Sequence, residues 1–203
     1  RCCQAWINAA QEYGLPFNPD FNGETTFGVG SYQLSTTGRW RSSSSAAYLS
    51  PVKKRKNLTV LTCSFVKRIL FDKTRASGVE WIKGDKIYQA TANSEVILSA
   101  GTIQSPQILQ LSGIGPRELL KAHGIPVILD APSVGKNLQD HYQMRLVVRL
   151  TGSGSLNTAC RNPIKLLEWG FKWLVSASGP LTVGAGQVGG AACTKFSEGG
   201  RPD

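Results

Sequence analysis

Apolar residues change their spacing along this chain, and each change predicts a different kind of element. Ala5, Trp6, Ala9 and Ala10 recur at the spacing of one helix face, so 2–13 is predicted to be helical, with Gly14 placed to end it. Residues 15–23 are rich in Pro, Asn, Asp and Gly, which predicts a loop. A strand is expected over 28–34, then a polar loop over 38–45 leading into Ala46-Ala47-Tyr48-Leu49. Beyond this the apolar runs become short and β-rich, over 58–62, 66–71, 76–82 and 87–91. Turn residues at 72–75 and 83–86 separate the later runs, so the pattern predicts an antiparallel meander.

The stretch 95–115 carries the densest set of signals. Glu95-Val96-Ile97-Leu98 reads as a buried strand, and Ser99-Ala100-Gly101-Thr102 are small enough to let the backbone turn or approach a ligand. Ser105-Pro106 offers an N-cap followed by the residue suited to the first helical position. Ile108, Leu109 and Leu111 give that helix an apolar side, and Ser112-Gly113-Ile114-Gly115 ends it. A strand, turn and helix start in this order present free N–H groups and a helix dipole to an anion. The same order also describes a crossover that only connects layers, so the local chemistry leaves both readings open. Farther on, a helix is expected over 116–123, strands over 126–129 and 143–150, a loop over 153–162 and an amphipathic helix over 163–176. The last bears Leu166, Leu167, Trp169, Phe171, Trp173 and Leu174, read as core or domain contact. The glycine-rich 183–192 has no Lys-Ser/Thr after it, so it predicts small-residue strand packing and no phosphate loop.

Composition narrows the function classes. At 203 residues, 41% hydrophobic and 18% charged, the chain matches a globular protein able to bury a core. No apolar run reaches the length of a membrane span, and a cytoplasmic or membrane-peripheral location is expected. The formal charge of +10 invites a nucleic-acid reading. Its basic residues are mostly scattered, however, and the one cluster, Lys53-Lys54-Arg55-Lys56, lacks interleaved aromatics, so a solvated linker is expected and no nucleic-acid partner. Five cysteines, an odd number without Cys-x-x-Cys spacing, point to a reducing compartment and no structural metal. The chain starts at Arg1 rather than Met and stops at Gly200-Arg201-Pro202-Asp203, which predicts an internal piece of a longer protein.

Residue order adds what local chemistry leaves open. Gly101-Thr102, Ser105-Pro106, Ile108-Leu109 and Ser112-Gly113-Ile114-Gly115 fill every fixed position of a signature, and the chain resembles the glucose–methanol–choline (GMC) flavoprotein oxidoreductases. Upstream, Pro16, Asn18-Pro19-Asp20-Phe21-Asn22-Gly23, Gly28, Gly30, Gln33, Gly38, Ser43 and Ala47-Tyr48-Leu49 resemble a second segment of that family. Ala46 stands where the family often carries a basic residue. Downstream, Val134-Gly135-Lys136-Asn137-Leu138-Gln139-Asp140-His141 resembles its "VGxNLQDH" hallmark.

The resemblance implies an α/β fold, with a doubly wound FAD-binding domain interleaved with an α+β substrate domain. It implies substrate-domain segments at 1–55 and 141–203 and an FAD segment at 56–140. The implied cofactor is FAD, with Val66 meeting the adenine through its main chain and Ala100-Gly101 forming an FAD-facing turn. The implied reaction oxidises a primary alcohol to an aldehyde, with hydride passing to flavin N5 and the two electrons then to an acceptor such as oxygen, a quinone or another carrier. No catalytic residue is assigned: a Gly-x-Gly-x-x-Gly loop is expected upstream and the catalytic His pair or His/Asn pair downstream. His123 is read as a helix-capping residue and His141 as structural, because sequence neighbours such as Asp140 and His141 point apart on a strand. Gln143 is the substrate-proximal departure, standing where choline-oxidising members usually carry Glu. An amide cannot ion-pair with a quaternary ammonium, so choline is not the expected preferred substrate. The rival expectation is a noncatalytic partial or relic product of such an enzyme.

Overall fold

Helix α1 spans Cys2–Glu12 and ends at Gly14, whose φ of +107° suits glycine alone. It opens the computed structural model, which describes residues 2–148, 156–182, 184 and 186–203. The chain clusters into two units, Arg1–Leu58 with Val147–Asp203, and Thr59–Leu146.

In the first unit the expected loop after α1 folds back on β1 (Gly28–Ser31), because Asn18 N–H donates to the Val29 carbonyl and Val29 N–H to that of Pro16. Asn18 is the hub of this loop. Its side-chain amide donates to the Thr25 and Phe27 carbonyls at 2.9 and 3.1 Å, and its Oδ1 accepts from Asp20 N–H at 2.9 Å. At 5% exposure it is buried with its polar atoms partnered. A small hairpin, β2 (Thr36–Thr37) with β3 (Trp40–Arg41), reaches into the expected polar loop 38–45, and a π-helical turn over Ser45–Leu49 and α2 (Ser50–Val52) follow. Lys53, Lys54, Arg55 and Lys56 that follow are exposed.

The second unit holds the predicted meander. Strands β4 (Phe65–Asp72), β5 (Arg75–Lys83) and β6 (Lys86–Thr91) pair antiparallel in that order. Asp72 pairs with Arg75 and Lys83 with Lys86, so each turn has two central residues, with positive φ at Lys73 and Gly84. Arg68, Glu80 and Gln89 form one cross-strand row; Val66, Trp81 and Tyr88 form another, with the Trp81 and Tyr88 rings stacked at 5.8 Å. After the meander come α3 (Gly101–Leu111), β7 (Ile114–Gly115), α4 (Arg117–Ala122) and β8 (Leu129–Asp130), with β7 and β8 parallel. That crossover around α4 makes this unit α/β. Ile69, Ile108 and Leu120 are its buried apolar residues.

Several expected elements take another form. Residues 58–62, 95–98 and 143–148 pair with no strand among the described residues, and of 126–129 only Leu129 joins a ladder. The reason is physical: apolar alternation marks a strand-like backbone, but a strand also needs a neighbour to bond. Around Val96, Ile97 and Leu98 the alternation survives, with the outer two half-buried and Ile97 78% exposed. Residues 149 and 150 lie outside the described residues.

The rest of the first unit follows. Within the expected loop 153–162, Leu156–Cys160 is helix α5, while 153–155 lie outside the described residues. Helix α6 spans Pro163–Ser176 as predicted, because Pro163 suits the first position and Asn162 Oδ1 accepts from Ile164 and Lys165 N–H. Of its aromatics, Trp173 meets Trp40 edge-on at 5.1 Å and Arg39 at 5.7 Å, whereas Phe171 is 67% exposed. Within the glycine-rich stretch, β9 (Val188–Ala191) pairs antiparallel with β1, and the Tyr32 phenol covers Gly189 so closely that a Cβ there would have to displace it. Val183 and Ala185 of that stretch lie outside the described residues.

Candidate cofactor site

Helix α3 is the element on which the candidate site is built. It begins earlier than the Ser105-Pro106 signal predicts, at Gly101, so Pro106 lies inside it. Gly101 turns the chain into the helix with φ +89°, and Ser105 completes the start from within: its Oγ accepts the Ala100 N–H at 3.0 Å. Pro106 lacks the N–H that would bond back to the Thr102 carbonyl, so the helix runs through that position one backbone bond short. At the other end, Gly113 has φ +91°, and a Cβ there would stand 2.5 Å from the Pro126 carbonyl oxygen. Only glycine fits that turn.

Among the clefts along α3, two share Gln107. One, about 240 Å³, is lined by Val66 of β4, Ala100, and Gln104, Gln107 and Ile108 of the helix. The other, about 470 Å³, lies between α3 and the 135–139 loop and is lined by Thr102, Pro106, Gln107, Lys136 and Asn137. Val66 and Ala100, far apart in sequence, thus face one space; Gly101, next in the chain, lines neither cleft, and nothing stands within 4 Å of where its Cβ would be. Gln143 lies on exposed chain outside any helix or strand and lines neither cleft.

Gln107, shared by both clefts, carried no sequence signal, since an exposed glutamine on a helix is unremarkable. Gln110 was also missed. Its Nε2 donates to the Val134 carbonyl at 3.1 Å, and it lies between Gly115 and Gly135, either of which would crowd it with a Cβ. Glycines at those two positions were the only available hint.

The clefts offer a binding surface rather than acid–base chemistry: Lys136 is the only titratable residue lining them. A cluster of charged groups lies in the meander. Glu80, 5% exposed, accepts from Gln89 Nε2 at 2.8 Å and from Arg68 Nε at 3.1 Å, and Lys67 Nζ stands 3.6 Å away. The Gln89 amide first, and Arg68 second, hold its carboxyl below the ordinary range.

Asp140 and His141 do not point apart as expected on a strand, because no strand forms here; Nδ1 of the imidazole comes within 3.7 Å of Oδ1. Both side chains are over nine-tenths exposed, so this contact is screened by water. His123 caps α4 through its N–H, which donates to the Leu119 and Leu120 carbonyls. Among the described residues all five cysteines are free, no cluster of three or more His, Cys, Asp or Glu is arranged to hold a metal, and no helix is long and apolar enough to cross a membrane.

Comparison with known proteins places these features. The chain is 41% identical over 185 residues to the oxygen-dependent choline dehydrogenase of Pectobacterium atrosepticum, covering 86% of this chain and 31% of that protein. It is 39% identical over 187 residues to the mitochondrial choline dehydrogenase of Mus musculus, covering 92% and 31%. The chain therefore spans about a third of the length of the curated relatives it matches. Among solved structures, an FAD-dependent oxidoreductase from Chaetomium thermophilum matches with a TM-score of 0.81 at 31% identity, over 93% of this chain and 34% of that one. A formate oxidase of Aspergillus oryzae matches at 0.79 and 27% identity, over 91% and 32%. The family model described as GMC oxidoreductase matches residues 1–143, and the chain belongs to that family of FAD-dependent α/β oxidoreductases.

Proposed function

We propose that these residues form the cofactor-holding part of an enzyme that oxidises the CH–OH group of a primary alcohol to an aldehyde. The observation that carries this reading is the shared cleft of Val66 and Ala100, two positions that the family resemblance assigns independently to FAD. Pockets for whole drug-sized ligands run to about 300–1,000 Å³, so a 240 Å³ cleft suits one end of a dinucleotide. Open space beside Gly101 lets a ligand approach the backbone closely, as the fit of such a group requires.

In this reading the Val66 main chain holds the adenine, and Ala100-Gly101 with the first turn of α3 line the cofactor's path. Bound FAD supplies the two-electron acceptor for the hydride leaving the carbinol carbon. The residues of this chain bind, orient and keep the cofactor end dry. None of those in the clefts takes the hydroxyl proton, which is left to groups outside them. The segments 1–55 and 141–203 belong to the substrate domain and 56–140 to the FAD domain, a division supported by the separate clustering of 59–146. Gln143 faces the substrate, and its neutral amide favours uncharged primary alcohols over choline. The final acceptor is oxygen, a quinone or another carrier.

The test is anaerobic reduction of the purified complete gene product. Primary alcohols should bleach its oxidised-flavin absorbance, and neutral alcohols should do so with higher kcat/KM than choline. A protein that binds flavin yet is bleached by no alcohol supports the noncatalytic reading instead.

A further inference from the structure

Strand β4 is the edge of the meander, so N–H groups on its outer side face away from β5 and need a partner elsewhere. The Ile69 N–H finds one in Ser112 Oγ, which accepts it at 2.8 Å and in turn donates to the Ile108 carbonyl at 2.5 Å. Ser112 is 6% exposed, Ile69 7% and Ile108 8%. One buried hydroxyl thus joins β4, which carries Val66, to α3, whose Ile108 lines the cleft with Val66 and Ala100. The neighbouring Gly113 turns the chain at φ +91°, and the Pro126 carbonyl oxygen lies 2.5 Å from where a Cβ would stand, so the turn after the hydroxyl takes only glycine.

We propose that Ser112 is a positioning residue for the cofactor: by locking β4 to α3 it sets the width of the cleft between Val66 and Ala100. This rests on the reading that the cleft takes FAD. Without the hydroxyl, a buried edge N–H loses its partner, and the strand moves off the helix to reach water. The cleft then widens at the wall whose main chain contacts the cofactor.

The experiment titrates FAD into the apo form of the complete flavoprotein and its Ser112→Ala, Ser112→Thr and Ser112→Cys variants. It reads affinity by flavin fluorescence, the circular dichroism of the bound flavin, and the apo-protein's thermal midpoint. Ser112→Ala is expected to weaken FAD binding about tenfold and to alter the flavin dichroism. Ser112→Thr keeps the hydroxyl and should restore both. If the alanine variant does not fold, Ser112→Cys, which keeps the size but bonds weakly, should show the loss that Ser112→Thr does not. Unchanged affinity and dichroism in a folded Ala or Cys variant overturn the proposal, as do equal losses in the Thr variant. A parent protein that takes up no FAD overturns the cofactor reading, and this proposal with it.

Discussion

The carbonyl oxygen of Asn18 occupies the place where Gly30 would carry a Cβ. The two halves of one sequence segment, the Asn-Pro-Asp-Phe-Asn-Gly loop and the Gly-x-Gly strand, are therefore a single packed unit. Gly30→Ala should destabilise the protein by about 1–3 kcal/mol, because backbone rather than a flexible side chain must yield. Asn18→Ala should cost a similar amount, about 1–3 kcal/mol, by stranding the Thr25 and Phe27 carbonyls and the Asp20 N–H. Denaturant midpoints check both, and a neutral Gly30→Ala would show the contact to be loose.

Acid stability should report on Glu80. Unfolded, its carboxyl titrates near 4.5; folded, the Gln89 amide and Arg68 hold it lower. The unfolded chain then binds the extra proton first, so the contribution is complete above about 4.5 and is lost as pH falls through the folded value. Thermal midpoints from pH 7 to 3 should show this decline, and Glu80→Gln should be less stable at pH 7 with a flatter acid limb. Parallel acid limbs for parent and variant would count against it.

Helix α6 ends on Ala177 with φ +48° and ψ +40°, a left-handed conformation that glycine adopts without a Cβ penalty. Ala177→Gly should stabilise by about 0.5–1 kcal/mol, the strain relief being partly offset by backbone entropy. That corresponds to a rise of about 1–4 °C in thermal midpoint. A lower midpoint would mean that the alanine methyl makes packing the geometry undervalues.

Gln143→Glu should raise kcat/KM for choline relative to a neutral primary alcohol by about tenfold in the complete enzyme, since a carboxylate supplies the charge a quaternary ammonium favours. An unchanged ratio would remove Gln143 from the substrate's surroundings.

The meander, α1, α4 and α6 were legible because each is specified locally, by periodicity, two-residue turns or a terminal cap. Glu95–Leu98 and residues 143–148 misled for the opposite reason: their apolar pattern is real, but a ladder depends on a partner that sequence distance hides. The start of α3 was misplaced because Ser105-Pro106 matches the usual opening of a helix so well. The serine instead caps from inside, and Gly101 makes the turn. Within the site, Val66 could be named only through its family position, since a main-chain contact places no demand on the side chain. Gln110 acts through a pairing across elements that no local pattern announces, and Ser112, though a signature position, gives no local sign of its bond to Ile69.

The central claim is that the cleft between β4 and α3 takes FAD. Its most direct test is a crystal structure of the complete flavoprotein with its cofactor bound. The adenine end should lie in that cleft, touching the Val66 main chain and Ala100, with the chain at Gly101 facing the cofactor. FAD bound elsewhere, with the Val66–Ala100 cleft closed by protein side chains, would contradict the account.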